Sequence, residues 1–149
     1  MTVFIGADHN GFALKNTLID YLHEKNIRIE DLGNYDYDPE DDHPDFAQAV
    51  GKAVLQNPDD FRGIVICGSG IGVSIAANRL NGIYCALGFN EEQVKHGRAN
   101  DHINVLALPA EHITDEEAKG MVDIFLHTEK NPKEKYLRRI KKIDQIQHQ

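Results

Sequence analysis

The stretch GIVICGSGIG, residues 63–72, runs an apolar segment into a thiol, Cys67, and follows it with Gly68, Ser69, Gly70, Ile71 and Gly72. A cysteine opening a turn at the start of a helix has its thiolate favoured by backbone N–H groups and the helix dipole. That brings it toward the range in which it removes protons near neutrality. The same turn offers a ring of N–H groups to negative charge. A base beside an anion cradle suits a reaction through an enolate-like intermediate, with the turn holding the developing oxyanion while Cys67 moves the proton. Other chemistries fit less well. The spacing of the three glycines is G-x-G-x-G, not the dinucleotide fingerprint, no Lys-Ser/Thr follows as in a Walker loop, and Ser69 is not in a G-x-S-x-G elbow. The plain alternative is a tight turn that uses glycine for close strand-to-helix packing.

A second loaded stretch, Asp8-His9-Asn10-Gly11, closes the first apolar run. An acid and an imidazole side by side at a strand end read as a site, against the alternative of a hydrogen-bonded strand terminus. His43 lies among Asp41, Asp42 and Asp45. Paired ligand spacing and a second histidine are missing there, so a solvated acidic loop describes it better than a metal centre, and no metal is expected. Cys85, between apolar neighbours, reads as a core residue.

Strands and helices must alternate to position these groups. Residues 2–8 read as a buried strand, 12–25 as a helix with Leu14, Leu18 and Leu22 on one face, and 27–33 as a second strand. A helix over about 45–56, strands at 63–67, 83–89 and 103–109, and helices after the glycine turn and over 90–99 continue the pattern. Thr114 and Glu117 have capping-box spacing and open a helix to about His127, and Pro132 starts a last, basic helix over about 132–146. This is one α/β domain, residues 1–149, on a parallel sheet of about five strands. In such sheets ligands bind beyond the carboxyl ends of the strands, so Asp8, His9 and Cys67 line one crevice if the first and third strands are neighbours.

The chain has 149 residues, 41% of them hydrophobic and 27% charged, which indicates neither disorder nor a membrane class. Without a basic leader or a long apolar run, it is expected in the cytoplasm, and its two cysteines, Cys67 and Cys85, are expected as free thiols. The net charge of −8 argues against general nucleic-acid affinity. Residues 130–142 nonetheless hold seven Lys/Arg against one acid, Glu134, on a body that carries −14. A solvated helix face is the ordinary account of such a run. A flavodoxin-like or receiver-like binding module would explain the sheet and the glycines but leaves Cys67 idle. A nucleic-acid-binding tail would meet repulsion from the acidic body.

Three segments together carry a resemblance: GADHNGFALK near the start, the D-x-P-x-x-A pattern at Asp42, Pro44 and Ala47, and ICGSGIGVSIAAN from Ile66 to Asn78. Over essentially its whole length the chain resembles the type B ribose-5-phosphate isomerase family, which includes the galactose-6-phosphate isomerase subunits. The resemblance implies a Rossmann-like three-layer α/β/α sandwich. It also implies cofactor-free aldose–ketose interconversion of a sugar phosphate, and a homodimer or dimer of dimers whose active sites are shared between subunits. It casts Cys67 as the proton-transferring base, Gly68 to Gly72 as the anion turn, and Asp8 with His9 as contacts to sugar hydroxyls or phosphate. Lys135 and Arg139 fall at phosphate positions on the basic helix, and Asp101 falls within the family's His-Asn-Asp run. Three positions depart from the pattern. Asn100 stands at the ring-opening histidine, so His102 or His96 is left to compensate; Glu111 stands at a phosphate arginine; His43 replaces an aromatic hydroxyl. An open-chain sugar phosphate would need no ring-opening group.

Overall fold

The computed structural model describes residues 1–146. Five strands form one parallel sheet: β1 (Thr2–Ala7), β2 (Arg28–Asp31), β3 (Phe61–Cys67), β4 (Cys85–Leu87) and β5 (Val105–Pro109), in the order β2-β1-β3-β5-β4. Strand residues point alternately to the two faces, and each face has its own helices. Val3, Ile5, Ile64, Ile66, Leu106 and Leu108 pack with α1 (Phe12–Glu24), α4 (Glu91–His96) and α5 (Asp115–His127). Phe4, Val65, Val105 and Ala107 pack on the opposite side with α2 (His43–Val54) and α3 (Ile71–Ala77). The result is the expected three-layer sandwich. Each fully buried aliphatic or aromatic side chain contributes about 1.5–3 kcal/mol, and both faces of β3 and β5 are filled this way.

From β1 the chain moves outward to β2 and then returns to β3 on the other side of β1. The connections leaving β1 and β3 therefore diverge and open a crevice at their carboxyl ends. Ala7 pairs with Ile66, and the Asp8 N–H donates to the Ile66 carbonyl at 3.2 Å, so Asp8 and Cys67 leave the sheet side by side. The neighbour relation on which the crevice depended is present.

Several element boundaries differ from the sequence reading. β2 and β4 are shorter than 27–33 and 83–89, because β4 pairs only with β5 at the sheet edge and β2 only with β1 at the other. The second helix begins two residues early, at His43, with Pro44 in its first turn, where the missing N–H costs nothing. The helix expected over 90–99 stops at His96 and widens into a π turn, Gly97–Asp101, which His102 closes in the left-handed region at φ 57°. The last helix, α6, runs Glu134–Asp144 instead of 132–146, since Lys133 is extended and serves as its N-cap. The Thr114 capping box has both bonds, at 3.1 and 2.8 Å. Cys85 is only half-buried, at the margin of the core.

Candidate active site

The crevice is built from three chain segments. The first is the turn after β1. The Asp8 carboxylate accepts from the N–H groups of Asn10 (3.0 Å) and Gly11 (3.2 Å), which aims the chain into α1. Asp8 is 5% exposed, and burial raises its pKa above the ordinary carboxylate value. His9 is held by Asp41, whose Oδ1 accepts from the His9 backbone N–H at 2.9 Å and from ring Nδ1 at 2.7 Å. That hydrogen bond is the main cause of the raised His9 pKa, with the Asp8 charge adding to it. The proton on Nδ1 leaves Nε2 as the ring atom free for a ligand.

The second segment is the glycine turn. Cys67 ends β3 opposite Pro109 and is 5% exposed. Gly70 stands at φ 70°, in the left-handed region that favours glycine, and this lets the chain reverse from β3 into α3. Gly72 is required for a different reason. A Cβ there would come within 2.6 Å of Cε1 and Nε2 of His43, so the imidazole at the start of α2 lies directly on the turn. His43 Nδ1 is buried and has no hydrogen-bond partner among the described residues. The third segment follows β5. The Glu111 N–H donates to the Gly68 carbonyl at 3.0 Å, and its carboxylate lies over the same turn, 2.8 Å from where a Gly68 Cβ would sit. An imidazole and a carboxylate thus flank the turn.

Sequence reasoning missed two residues that make this geometry. Asp41 reads as one acid in a solvated loop, yet it fixes His9 and also accepts from Asn34 Nδ2 at 2.7 Å. Lys15 is fully buried, and its Nζ donates to both Asp31 oxygens, at 2.8 and 2.7 Å, and to the Asn34 carbonyl. It ties α1 to the loop that carries Asp41. A lysine on the core face of a leucine-patterned helix was the available signal. Asp8, His9 and Asp41 bring one ligand atom each within 4.8 Å of one another. Asp41 accepts from the His9 ring and Asp8 from two backbone N–H groups.

The other sequence-chosen residues lie elsewhere. Asn100, Asp101 and His102 precede β5, at the amino end of the sheet, and α6, which carries Lys135 and Arg139, packs on the π turn there. Asn100 Oδ1 accepts from Asn131 Nδ2 at 3.3 Å. His102 is buried, with Nε2 3.3 Å from the Asn131 carbonyl, and burial pushes its pKa down. β3 spans 7 residues, and a strand rises about 3.3 Å per residue. Within one chain the two groups of residues therefore sit at opposite ends of the sheet.

The family model described as Ribose/Galactose Isomerase matches residues 3–143. Ribose-5-phosphate isomerase B of Mycolicibacterium paratuberculosis is 35% identical over 140 residues, 94% of this chain and 87% of that protein. D-erythrulose-4-phosphate isomerase of Pectobacterium atrosepticum is 36% identical over 132 residues, 87% and 84% of the two chains. A crystal structure of Mycoplasma genitalium ribose-5-phosphate isomerase B with bound ribulose-5-phosphate superposes with a TM-score of 0.91 at 39% identity, covering 96% of this chain and 93% of that one. Among the described residues, no helix is long and apolar enough to cross a membrane.

Proposed function

Because the chain belongs to the Ribose/Galactose Isomerase family, we propose that it interconverts ribose 5-phosphate and ribulose 5-phosphate by proton transfer, with Cys67 as the base. The observation that carries this is the placement of a buried thiol at the mouth of a glycine turn, beside Asp8 in the β1/β3 crevice. In the open-chain aldose, Cys67 takes the C2 proton. The C2–H electron pair forms the C1=C2 bond of an enediolate, and the negative charge passes to O1 beside the turn. Return of that proton from Cys67 to C1, with transfer of the O2 hydroxyl proton to O1, leaves the ketose. No external oxidant or cofactor enters this balance. Asp8 accepts from sugar hydroxyls, and His9, with its raised pKa, offers Nε2 to the phosphate.

Lys135, Arg139, Asn100 and Asp101 serve this cleft only if a second copy of the chain brings them there. Three features support a homodimer: α6 buries none of its residues, Leu137 is 50% exposed, and Ile71 and Ile75, 54% and 56% exposed, lie one turn apart beside the crevice. Co-purified heterodimers of Cys67→Ala and Arg139→Ala, each inactive alone, recover activity if the site is shared. They stay inactive if it is not.

A second reading has its own observation. Asn100 cannot titrate, and a four-carbon ketose 4-phosphate does not close to a furanose. An erythrulose 4-phosphate isomerase, the activity for which one relative is named, would need no ring-opening acid. The test is isomerisation of ribose 5-phosphate and erythrulose 4-phosphate in D2O by the protein and its Cys67→Ala variant. Cys67-dependent turnover with solvent deuterium entering a carbon position supports the mechanism, and the faster sugar decides between the readings. Full retention of a C2 deuterium in product removes Cys67 as the base.

A further inference from the structure

The molecule gathers unpaired positive charge at the end of the sheet away from Cys67. Arg62 and Arg98 are 8% and 4% exposed, and the Nε of each is buried without a hydrogen-bond partner. Arg62 spends its other nitrogens on the carbonyls of Pro58 (3.3 Å), Asp59 (3.2 Å) and Phe61 (2.6 Å), and Arg98 donates to the Ile103 carbonyl at 2.7 Å. Among the described residues, no carboxylate makes an ion pair with Arg62, Arg98 or Lys130. Asp60, two residues before Arg62, is paired with the amino terminus at 3.0 Å, and its charge and that of Asp59 act on Arg62 only through space.

One cavity lies beside these groups, with Lys130 in its wall. A space of about 270 Å³ is lined by Pro58, Asp59, Tyr84, His102, Asn104 and Lys130, among others. Both guanidinium groups lie just behind that lining, since Arg62 bonds the carbonyls of Pro58 and Asp59, and Arg98 bonds the carbonyl between His102 and Asn104. The cations feel one another. Burial and then Arg62 bring Arg98 down to about 10, and burial, Arg98 and Arg62 together lower Lys130. Buried charges of one sign without a paired counter-ion are strongly unfavourable; Asp59, in the cavity lining, opposes the charge of Arg62 and Lys130 only in part and pairs with neither.

We propose that this cavity binds a small phosphate-class oxyanion, either inorganic phosphate or the phosphoryl group of a small metabolite, at a site separate from the Cys67 cleft. The Lys130 ammonium and His102 meet the anion directly, and Arg62 and Arg98 supply fixed positive charge from behind. His102 reports occupancy. Its Nε2 proton goes to the Asn131 carbonyl, so Nδ1 is the acceptor in the neutral ring and becomes a donor to the anion on protonation. Burial, Lys130 and Arg98 hold its pKa down, against the Asn131 bond and Asp101, which raise it. The inference does not rest on the isomerase reading.

The test is a proton NMR titration of the histidine Cε1–H resonances, with His102 assigned from His102→Gln. Inorganic phosphate is added at ionic strength held constant with chloride, and glycerol phosphate serves as the organic arm. Occupancy raises the His102 pKa by about one unit, equivalent to tenfold tighter binding to the protonated ring. The more effective arm names the source. Lys130→Glu, a change at an exposed position, supplies an internal carboxylate. It raises the His102 pKa without phosphate, abolishes the response, and leaves the isomerase KM within twofold. An unmoved His102 pKa at saturating phosphate, or an equal response to chloride, overturns the proposal. A tenfold rise in KM in Lys130→Glu would place the cavity within the substrate site and overturn its separateness.

Discussion

Glu111 holds its carboxylate against the anion turn, and replacing it by Gln isolates its charge. Its backbone N–H is bound to the Gly68 carbonyl at 3.0 Å, so the isosteric amide keeps the same position over the turn. A phosphate group carries roughly −1.5 to −2 at neutral pH. At ~7 Å from a unit negative charge in a water-like dielectric, it is repelled by about 1 kcal/mol. Removing that repulsion is worth about a fivefold fall in KM, and Glu111→Arg, which moves the charge by two units, about 25-fold. The effect should shrink as the screening length drops from ~30 Å at 0.01 M salt toward ~3 Å at 1 M. Steady-state isomerisation of ribose 5-phosphate across that salt range checks the estimate, with kcat unchanged because the charge acts on binding. A KM that does not fall, or a gain indifferent to salt, would show that no phosphate sits within reach of the turn. A collapse of kcat in Glu111→Gln would instead assign this carboxylate a share of the proton transfer.

Other perturbations test neighbouring links. Gly72→Ala puts a methyl 2.6 Å from the His43 ring and should cost about 1–3 kcal/mol by overpacking, read by urea denaturation; adding His43→Ala should restore most of it, and strict additivity of the two changes would refute the contact. The bond to Asp41 raises the folded-state pKa of His9 above 6.5. Its stabilisation is therefore fully present below the unfolded value and is lost as pH rises through the raised folded value. The Tm difference between the parent and Asp41→Asn should accordingly narrow on going from pH 6 to pH 9, and a difference independent of pH would refute the assignment. Asn100→His places a titratable ring beside Asn131. If ring opening limits turnover, kcat/KM on ribose 5-phosphate should rise at least tenfold and that on erythrulose 4-phosphate should stay level.

The layers of the fold were legible because two periodicities are written plainly in the chain. Leu14, Leu18 and Leu22 repeat at helical spacing, and Val3, Ile5 and Ala7 alternate with Phe4. Cys67 and the glycines announced the turn because few other uses exist for a thiol before three closely spaced glycines. What stayed hidden depends on pairings that no local pattern encodes. Asp41 meets His9 across 32 residues, and Lys15 meets Asp31 across 16. The exchange of β5 and β4 in the sheet order decides which residues reach the crevice, yet leaves no trace in either strand. The π turn at Gly97–Asp101 was hidden too, since its widening is a backbone event that residue types alone do not mark.

The two side chains that flank the turn have a consequence for how a substrate lies in the cleft. Glu111 makes the Gly68 end unfavourable for a dianion, whereas His9, with its proton held by Asp41 and its pKa raised, makes the β1 end favourable. The cleft is thus polarised along the β1-to-β5 direction. A sugar phosphate minimises its energy with the phosphate toward His9 and its carbonyl end toward Cys67 and Gly70. That orientation also places the reacting C1 and C2 at the thiol, and the enediolate charge beside turn N–H groups. That charge is a single one, centred on O1, and it meets less repulsion from Glu111 than a phosphate would. The carboxylate that weakens phosphate binding at the wrong end therefore enforces the productive direction.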